Sequence, residues 1–360
     1  MPPFEANVEL ATRTTLGLGG KAAHFARVES EAELLAALHW ASEHELDVRV
    51  LGGGSNIVVA DAGFNGLVIE MGLRGLSVDP VQPSLHTREA NGQDNAALVQ
   101  AAAGEPWDDF VAAMVDRNYQ GLECLSGIPG RVGATPIQNV GAYGQDVSET
   151  ISHVVTIDRV TRTQRTFSAA ECRFAYRDSF FKSVEPGRFI VTQVSFRLLA
   201  NGAPAIRYAE LERTFASLGT PPSLAQVRET VIALRRSKSM VVDANDPNSR
   251  SCGSFFVNPV LSGADFRTFS ERAHGEGDIP TFPQANGQVK LSAGWLIEHA
   301  GFPRGSRDGA VGLSTKHALA LVAHEGARAA DIARLAQRVQ RAVRDRFGVK
   351  LDPEPVFWGF

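Results

Sequence analysis

Two glycine-rich segments are the strongest candidates for a ligand-binding site, and both would bind the ligand through their backbone. The first, LGGGSN, lies at 51–56 between two short apolar, β-like runs. Successive backbone N–H groups in such a loop can form a nest for an anion such as a pyrophosphate, and hydroxyl or amide side chains can add donors. The loop contributes five candidate residues, Gly52, Gly53, Gly54, Ser55 and Asn56. A plain hairpin turn is the alternative, although each glycine costs conformational entropy on folding.

The second segment, SGIPGRVGATPIQNVGAYGQDV at 126–147, has five glycines and two prolines. It is too rich in turn formers to be a helix and too apolar to be a disordered linker. Glycine allows a backbone to approach a neighbour closely or to adopt a positive φ. The segment therefore predicts a rigid, half-buried surface pressed against a flat ligand, and a tight loop packed on the protein itself is the alternative.

The familiar phosphate-binding fingerprints do not fit the first loop. A Rossmann loop opens a helix at its glycines, whereas the β-branched run Ile57–Val59 follows this loop. A Walker loop ends in Gly-Lys-Ser/Thr, and here the glycines are followed by Ser55 and Asn56. The loop is therefore predicted to connect two strands.

The composition limits the partners and the compartment. The 360 residues have room for two or three domains, and a formal net charge of −4 argues against a nucleic-acid surface. The three cysteines are far apart and the nine histidines are scattered, which argues against disulfides or a metal site and favours a reducing compartment. No secretory signal or membrane-spanning run is evident. We expect a cytoplasmic protein with no metal, no nucleic acid, no membrane and no obligate protein partner.

The hydrophobic patterns predict a mixture of helices and strands. Ser30 and Glu33 have the spacing of a capping box and open a helix that runs to about His44. Apolar residues of the predicted helix 329–347 form one stripe, made of Ile332, Leu335, Val339, Val343 and Phe347. Further helices are predicted at 106–118, 208–218 and 224–236, and strands at 48–51, 57–59, 97–105, 153–158, 164–167 and 189–198.

Six motifs in order carry a family resemblance, namely LGGGSN, the 126–147 segment, FAYRDSFFK, GSFFVNP, LSAGWLIEHAG and LDPEP. From about Thr14 to Trp358 the chain resembles the UDP-N-acetylenolpyruvoylglucosamine reductases, flavoenzymes of bacterial peptidoglycan precursor synthesis. The resemblance implies an α+β chain with a two-domain FAD-binding fold of the vanillyl-alcohol-oxidase (PCMH) type and a third α+β substrate-binding domain. We expect FAD-binding subdomain 1 at 1–71 with the tail 348–360 packed back on it, subdomain 2 at 72–223, and the substrate-binding domain at 224–347.

The resemblance also implies the reaction and its cofactors. NADPH, the co-substrate, reduces a non-covalent FAD and leaves, and UDP-N-acetylglucosamine enolpyruvate takes its place. Hydride then goes to the terminal carbon of the enolpyruvyl group and a proton to its α carbon, which yields UDP-N-acetylmuramate. The first loop and the second segment would bind FAD, the latter through Ser126, Gly127, Ile128, Pro129, Gly130, Gly133, Ala134, Gln138, Asn139, Gly141 and Tyr143.

Three residues match the family's catalytic positions. Arg177 would bind the substrate carboxylate and hold the enolate charge, and pairing with Asp178 or another acid is the alternative. Glu354 would stabilise the same enolate, for which we expect a raised pKa. Ser254 would donate the proton to the α carbon, which requires neighbouring donors or a water relay. Without the resemblance, the serine would be interpreted as a turn residue and the glutamate as a solvent-exposed acid.

Substrate contacts are also implied by the resemblance. Tyr208 is similar to the tyrosine that covers the substrate diphosphate in one subclass of the family. Lys238, Asn258 and Lys290 fall where the family places phosphate and uridine contacts, and His317 stands where some members have a glutamine. The chain departs from the pattern at four positions, Val257, Phe282, His317 and Val356.

Two other functions remain open from the sequence. A flavin oxidase of the same fold would use oxygen, and such enzymes often tether FAD through His or Cys, of which the two loops offer only the flanking Cys124. An inactive flavin-binding or UDP-sugar-binding module would have no need of Arg177, Ser254 and Glu354 together. Reduction by NADPH would separate the reductase from the oxidase, and a yellow protein would exclude a cofactor-free scaffold.

Overall fold

The structure, a computed structural model, describes residues 2–80, 95–216, 218–284 and 287–360. The chain forms two compact units. The first comprises Met1–Ala6, His24–Gly53 and Asn65–Arg236, and the second comprises Asn7–Ala23, Gly54–Phe64 and Ser237–Phe360. The division into three parts expected from the sequence stays a prediction, and residues 81–94 of its second part lie outside the described residues.

Helices and strands alternate irregularly along the described chain, as expected for an α+β protein. In chain order the strands are β1 (Glu5–Glu9), β2 (Lys21–Val28), β3 (Val48–Leu51), β4 (Ile57–Val59), β5 (Phe64–Met71), β6 (Leu76–Pro80), β7 (Ala96–Ala102), β8 (Tyr119–Gln120), β9 (Gly141–Ala142), β10 (Gln145–Asp146), β11 (Ile151–Asp158), β12 (Gln164–Ser168), β13 (Phe189–Ala200), β14 (Val260–Leu261), β15 (Thr281–Pro283), β16 (Val289–Leu291), β17 (Arg307–Asp308), β18 (Val311–Leu313), β19 (Leu321–Ala323) and β20 (Val356–Trp358). The helices are α1 (Glu31–Glu43), α2 (Trp107–Asp116), α3 (Ala209–Phe215), α4 (Leu224–Ser237), α5 (Gly263–Arg272), α6 (Ala293–His299) and α7 (Ala329–Phe347).

A small sheet with the order β1-β2-β5-β3 lies largely in the first unit, where β3 and β5 run parallel. The helix α1 begins after Ser30, whose Oγ accepts a hydrogen bond from the Glu33 N–H at 3.2 Å. The carboxylate of Glu33 reaches back to the Glu29 N–H at 2.7 Å, one residue beyond the position that a capping box uses. One face of α1 is buried in the core, through Leu34, Ala37, Leu38 and Ala41.

The larger sheet of the first unit has the order β12-β11-β13-β7-β6, all in antiparallel pairs, and β8 pairs with the end of β13. Apolar residues of α2 pack on this sheet, with the ring centroids of Trp107 and Phe110 at 6.1 and 5.1 Å from that of Phe196. Because α2 is held by this packing, the glycine-rich segment that follows it in the chain starts from a rigid element.

The second unit contains two three-stranded sheets, β14-β16-β15 and β17-β18-β19, and a parallel pair of β20 with β4. The predicted apolar stripe of α7 is confirmed, since all five of its residues are buried. The helix ends at Gly348, whose φ of 71° provides the left-handed cap. The pairing of β20 with β4 brings the last strand beside the strand that follows the first glycine loop.

Candidate cofactor and substrate sites

The loop at 51–56 is not a hairpin turn, because β3 pairs with β5 whereas β4 pairs with β20. In the first unit, a Cβ atom added at Gly53 would lie 2.6 Å from the Cα atom of Gly130. A Cβ added at Gly52 would lie 3.9 Å from that of Ala134. The structure therefore brings the two glycine-rich segments together, with one backbone against the other.

In the second unit, the end of the same loop meets the C-terminal tail. Gly54 has a φ of 63°, and a Cβ atom there would lie 1.9 Å from the carbonyl oxygen of Arg13. The Asn56 side chain donates to the carbonyl oxygen of Glu354 at 3.2 Å, and the Val356 N–H donates to the carbonyl oxygen of Asn56 at 3.0 Å. Asn56, which we expect to bind FAD, thus holds the backbone of Glu354, which we expect to be catalytic.

These segments fit a cofactor that carries a diphosphate. A side chain at Gly53 or Gly54 would collide with the protein's own main chain, so these glycines allow the loop to pack closely on Gly130 and Arg13. Gly54 also has a φ of 63°, the left-handed conformation that a nest of backbone N–H groups uses. Gly127 and Gly130 have φ values of 71° and 132°, which residues with side chains avoid. The main chain of these segments could therefore contribute N–H groups to a diphosphate.

Some expected FAD contacts are occupied by the protein itself. A Cβ atom at Gly133 would lie 2.5 Å from that of Ala103, and one at Gly141 would lie 1.5 Å from Asp146 Oδ1. The amide of Asn139 donates to a carbonyl oxygen at 3.0 Å and accepts from a backbone N–H at 3.1 Å. In these places the glycines and the amide serve packing within the protein, so the alternative of a packed loop holds for part of the segment.

An aspartate that the sequence did not single out holds the second glycine segment. Asp108, in the first turn of α2, accepts from the Gly127 N–H at 2.6 Å and from both terminal nitrogens of Arg228 at 2.6 and 2.9 Å. Burial would raise the pKa of Asp108, but the hydrogen bonds from Arg228 and Gly127 outweigh it and lower that pKa. An acid in the first turn of a helix is common, so the sequence offered no signal for this role.

Arg177 has an unusual backbone and a well-held side chain. Its φ is 54°, and its Nη1 donates to the carbonyl oxygen of Asn139 at 3.3 Å, while Nη2 donates to that of Gly141. Its carboxylate partner is Asp146, at 3.5 Å. Asp178, the acid that the sequence alternative named, accepts from the adjacent Ser179 N–H at 2.8 Å, and Asp146 is the other acid that this alternative allowed.

Ser254 and Glu354 lie on neighbouring backbone segments of the second unit. The Glu354 N–H donates to the carbonyl oxygen of Phe255 at 2.9 Å, and Phe256 bridges to Pro353 in antiparallel fashion. Ser254 follows Gly253, whose φ is 71°. Two residues that are 100 positions apart in the sequence are thus placed on adjoining backbone segments.

The expected substrate residues lie in both units. In the first, Tyr208 is 41% exposed and meets Tyr143 edge-to-face at 5.3 Å, and burial raises the pKa of Tyr143 to about 12. In the second, Lys290 lies opposite Phe282 in the β15–β16 pair, with Nζ 5.8 Å from the ring centroid. Asn258 accepts from the first N–H of α6 at 2.9 Å.

The chain around Lys238 is organised by a second unforeseen aspartate. Asp246 accepts from Ser239 at 2.6 Å, from Lys316 at 3.1 Å and from the Asn248 N–H at 2.9 Å. Burial would raise the pKa of Asp246, but these hydrogen bonds hold it well below its ordinary value. The neighbouring His317 accepts from the Leu319 N–H at 3.0 Å, so its side chain also shapes this loop.

The cysteines do not suit covalent flavin attachment. Cys124, Cys172 and Cys252 are buried free thiols, and burial, assisted by the nearby Glu123, raises the pKa of Cys124 to about 12. A protonated thiol is a weak nucleophile. The described ranges contain no group of three or more His, Cys, Asp or Glu residues that could hold a metal. None of the helices among the described residues is long and apolar enough to cross a membrane.

Comparison with known proteins agrees with this geometry. A model described as an FAD binding domain matches residues 22–164, and one described as the C-terminal domain of UDP-N-acetylenolpyruvoylglucosamine reductase matches residues 246–358. Reductases of that name from Thermobifida fusca and Salinispora arenicola are 49% and 45% identical to the chain. The alignments cover 99% and 98% of this chain, and 98% and 95% of theirs.

A solved structure supports the same assignment. The crystal structure of UDP-N-acetylenolpyruvylglucosamine reductase from Thermus caldophilus matches 99% of this chain and 100% of its own, with a TM-score of 0.65 and 25% identity. The expected α+β class with the FAD-binding fold, the FAD cofactor and the oxidoreductase class are confirmed. The chain therefore belongs to the UDP-N-acetylenolpyruvoylglucosamine reductase family.

Proposed function

We propose that this protein reduces UDP-N-acetylglucosamine enolpyruvate to UDP-N-acetylmuramate at the expense of NADPH. The observation that carries the proposal is the antiparallel contact of the Ser254 and Glu354 segments, with Asn56 of the glycine loop bonded to the same tail. A proton donor, a carboxyl group and a cofactor loop would then share one rigid part of the second unit.

Bound FAD would supply the two-electron chemistry, taking electrons from NADPH and passing them to the enolpyruvyl double bond. The residues of the chain would manage charge and proton. Ser254 would donate a proton to the α carbon, a role that requires close support because a serine hydroxyl is a weak acid. Glu354, with a proton on its carboxyl group, would donate a hydrogen bond to the enolate and lower its energy.

Arg177 would bind the carboxylate next to the reacting carbon. Its guanidinium is oriented by two carbonyl oxygens, those of Asn139 and Gly141. Such preorganisation reduces the cost of ordering the side chain when the charge develops. The contact with Asp146 is 3.5 Å long, so a well-aligned bidentate carboxylate would be a stronger partner.

Recognition of the nucleotide would use the five residues that the family resemblance implies. Tyr208 would cover the diphosphate, and Lys238 and Lys290 would provide positive charge. Asn258 and His317, whose side chains accept backbone N–H groups at 2.9 and 3.0 Å, would act by shaping the loops around the ligand.

Anaerobic stopped-flow absorbance of the flavin tests the proposal. The oxidised protein is mixed with NADPH, and UDP-N-acetylglucosamine enolpyruvate is added after the visible band has bleached. Recovery of the band on addition of the substrate is the expected result. Bleaching without recovery would overturn the substrate assignment, and a flavin that NADPH leaves oxidised would favour the oxygen-using oxidase or the inactive binding module.

A further inference from the structure

A cavity of about 690 Å³ lies in the first unit, away from the residues discussed so far. It is bounded by the end of α1, the start of β3, the turn between β11 and β12, and the segment that precedes β13. Binding cavities in proteins usually measure 300–1,000 Å³ and combine an apolar lining with a few polar groups. The size therefore suits a small organic ligand.

The floor of the cavity is apolar. Leu38 and Ala41 of α1 and Val48 of β3 line it, and all three belong to the main core of the unit. Leu46, partly buried, completes the floor. At the rim, Val160 is 75% exposed, which is unusual for a large aliphatic side chain. A ligand with an apolar body could remove this surface from water.

The walls of the cavity are basic. Arg159 donates to the carbonyl oxygen of Gly187 at 2.8 Å, and Arg162 donates to the His39 ring at 3.0 Å. Within the part of the chain that the structure describes, neither guanidinium has a carboxylate within 4.0 Å. Burial, and after it the charge of Arg49, lowers the pKa of Arg159, and the charge of Asp47 offsets part of this effect. An anion in the cavity would relieve this repulsion.

The turn that carries these arginines is held in place before any ligand arrives. Asp158 Oδ1 accepts from the Val160 N–H at 2.8 Å, and its Oδ2 accepts from Arg188 at 2.9 and 3.1 Å. Arg188 also pairs with Glu185 at 3.3 Å, so the third basic residue of the lining is already neutralised. Because the turn is ordered in advance, binding would cost little conformational entropy.

We propose that this cavity is a binding site for a small amphipathic anion, with its phosphate or carboxylate on Arg159 and Arg162 and its apolar body against Leu46 and Val160, the apolar lining residues that are still accessible. Guanidinium groups suit both anions because they donate two parallel hydrogen bonds. The lining carries three arginines and one glutamate, although the whole chain has a net charge of −4.

The site is separate from the cofactor loop. Val48 begins β3, and the glycines begin at the other end of this strand, four residues later. At a rise of about 3.3 Å per residue this is roughly 13 Å. The proposal therefore does not depend on the enzymatic activity proposed above.

Calorimetric titration of the FAD-loaded, full-length protein with phenyl phosphate tests the proposal, with saturating UDP present to occupy nucleotide-binding residues. Three further compounds are titrated in the same way. Benzoate has a carboxylate in place of the phosphate. Inorganic phosphate has the anion without the ring, and phenol has the ring without the phosphate. Arg159→Gln removes one arginine, and Val160→Glu adds a negative charge at the rim without touching the core. Arg197→Gln, at an exposed position of β13 outside the lining, is the matched control.

We expect saturable binding of phenyl phosphate or benzoate with a Kd of about 1 mM or lower. Tighter binding of one of them identifies the anion as an organic phosphate or an organic carboxylate. Arg159→Gln and Val160→Glu should each weaken binding about tenfold or more, and Arg197→Gln should leave it unchanged. Equal affinities in all three variants, no saturable binding, or inorganic phosphate binding as tightly as phenyl phosphate would overturn the proposal.

Discussion

Replacing Asp108 by alanine should weaken FAD binding more than it lowers the free energy of unfolding of the flavin-free protein. The substitution removes the acceptor of the Gly127 N–H and both hydrogen bonds from Arg228. The guanidinium, whose side chain is only 17% exposed, then lacks its carboxylate. Since Gly127 lies in the segment that would hold FAD, the loss should appear as a less ordered cofactor loop.

The magnitude follows from the geometry at Asp108. Losing one partner of a charge-assisted, buried hydrogen bond costs about 1.5–3 kcal/mol. The Asp108 side chain is 37% exposed, so water replaces part of the interaction and we expect about 1–2 kcal/mol. If this loss falls on the FAD-bound state, the Kd for FAD rises by about 5-fold to 30-fold.

Titration of apoprotein with FAD, followed by quenching of flavin fluorescence, measures this Kd. Chemical denaturation of the apoprotein measures folding separately. Asp158→Ala is the matched control, because Asp158 also pairs with an arginine through two hydrogen bonds, at 2.9 and 3.1 Å, and holds a backbone N–H at 2.8 Å. It has no contact with either glycine segment among the described residues, so its substitution should leave the Kd within about 2-fold.

A comparison with Asp108→Asn isolates the cause. Asparagine keeps an oxygen for the Gly127 N–H and loses the charge, so it should retain more FAD affinity than alanine does. Equal rises in the Kd for FAD in the alanine variants of Asp108 and Asp158, or an unchanged Kd in Asp108→Ala, would contradict this role of Asp108.

Gly54→Ala should lower the free energy of unfolding by about 1–3 kcal/mol more than Gly219→Ala does. The two glycines have nearly the same φ, 63° and 64°, but among the described residues only a Cβ atom at Gly54 would meet a backbone atom within 4 Å. Equal losses on chemical denaturation would show that the loop relaxes. Ser254→Ala should leave flavin reduction by NADPH nearly intact and slow flavin reoxidation by substrate about 10²–10⁴-fold, and stopped-flow traces with both half-reactions slowed equally would exclude a proton-donor role. Arg177→Lys should severely reduce steady-state turnover because lysine cannot make a bidentate contact; near-normal turnover would contradict the carboxylate clamp. The folded-state pKa of Asp246 is lowered, so its contribution to stability is present above the ordinary pKa of about 4 and is lost as the pH falls below it. Asp246→Asn should make the free energy of unfolding depend less on pH in this range. Chemical denaturation curves with the same pH dependence as those of the parent protein would argue against this contribution of Asp246.

Local patterns predicted the secondary structure well where one face of an element is buried. The apolar stripe of α7 has the period of a helix, and all of it is buried in the structure. The strand at 48–51 and the strand at 57–59 match β3 and β4. A hairpin between them remained an alternative, because strand pairing depends on partners that are distant in the sequence, here β5 and β20.

The roles of individual polar residues could not be predicted in the same way. The sequence offered Asp178 or another acid as a partner for Arg177, and only the structure identifies that acid as Asp146. Asp108 meets Gly127 across a loop that returns to its own helix. Such contacts depend on where the chain folds back, and local sequence propensity does not predict this.

The family resemblance is visible in the sequence, and so are the positions of the glycine segments and the apolar faces of the helices, because backbone freedom and hydrophobic period are local properties. The fold shows which glycines contact another backbone, as Gly53 contacts Gly130, and which leave space for a side chain, as Gly141 does for Asp146. It also decided that Ser254 and Glu354 lie on adjoining segments. Hydrogen bonds between distant segments form only when the packing of the core has fixed both of them.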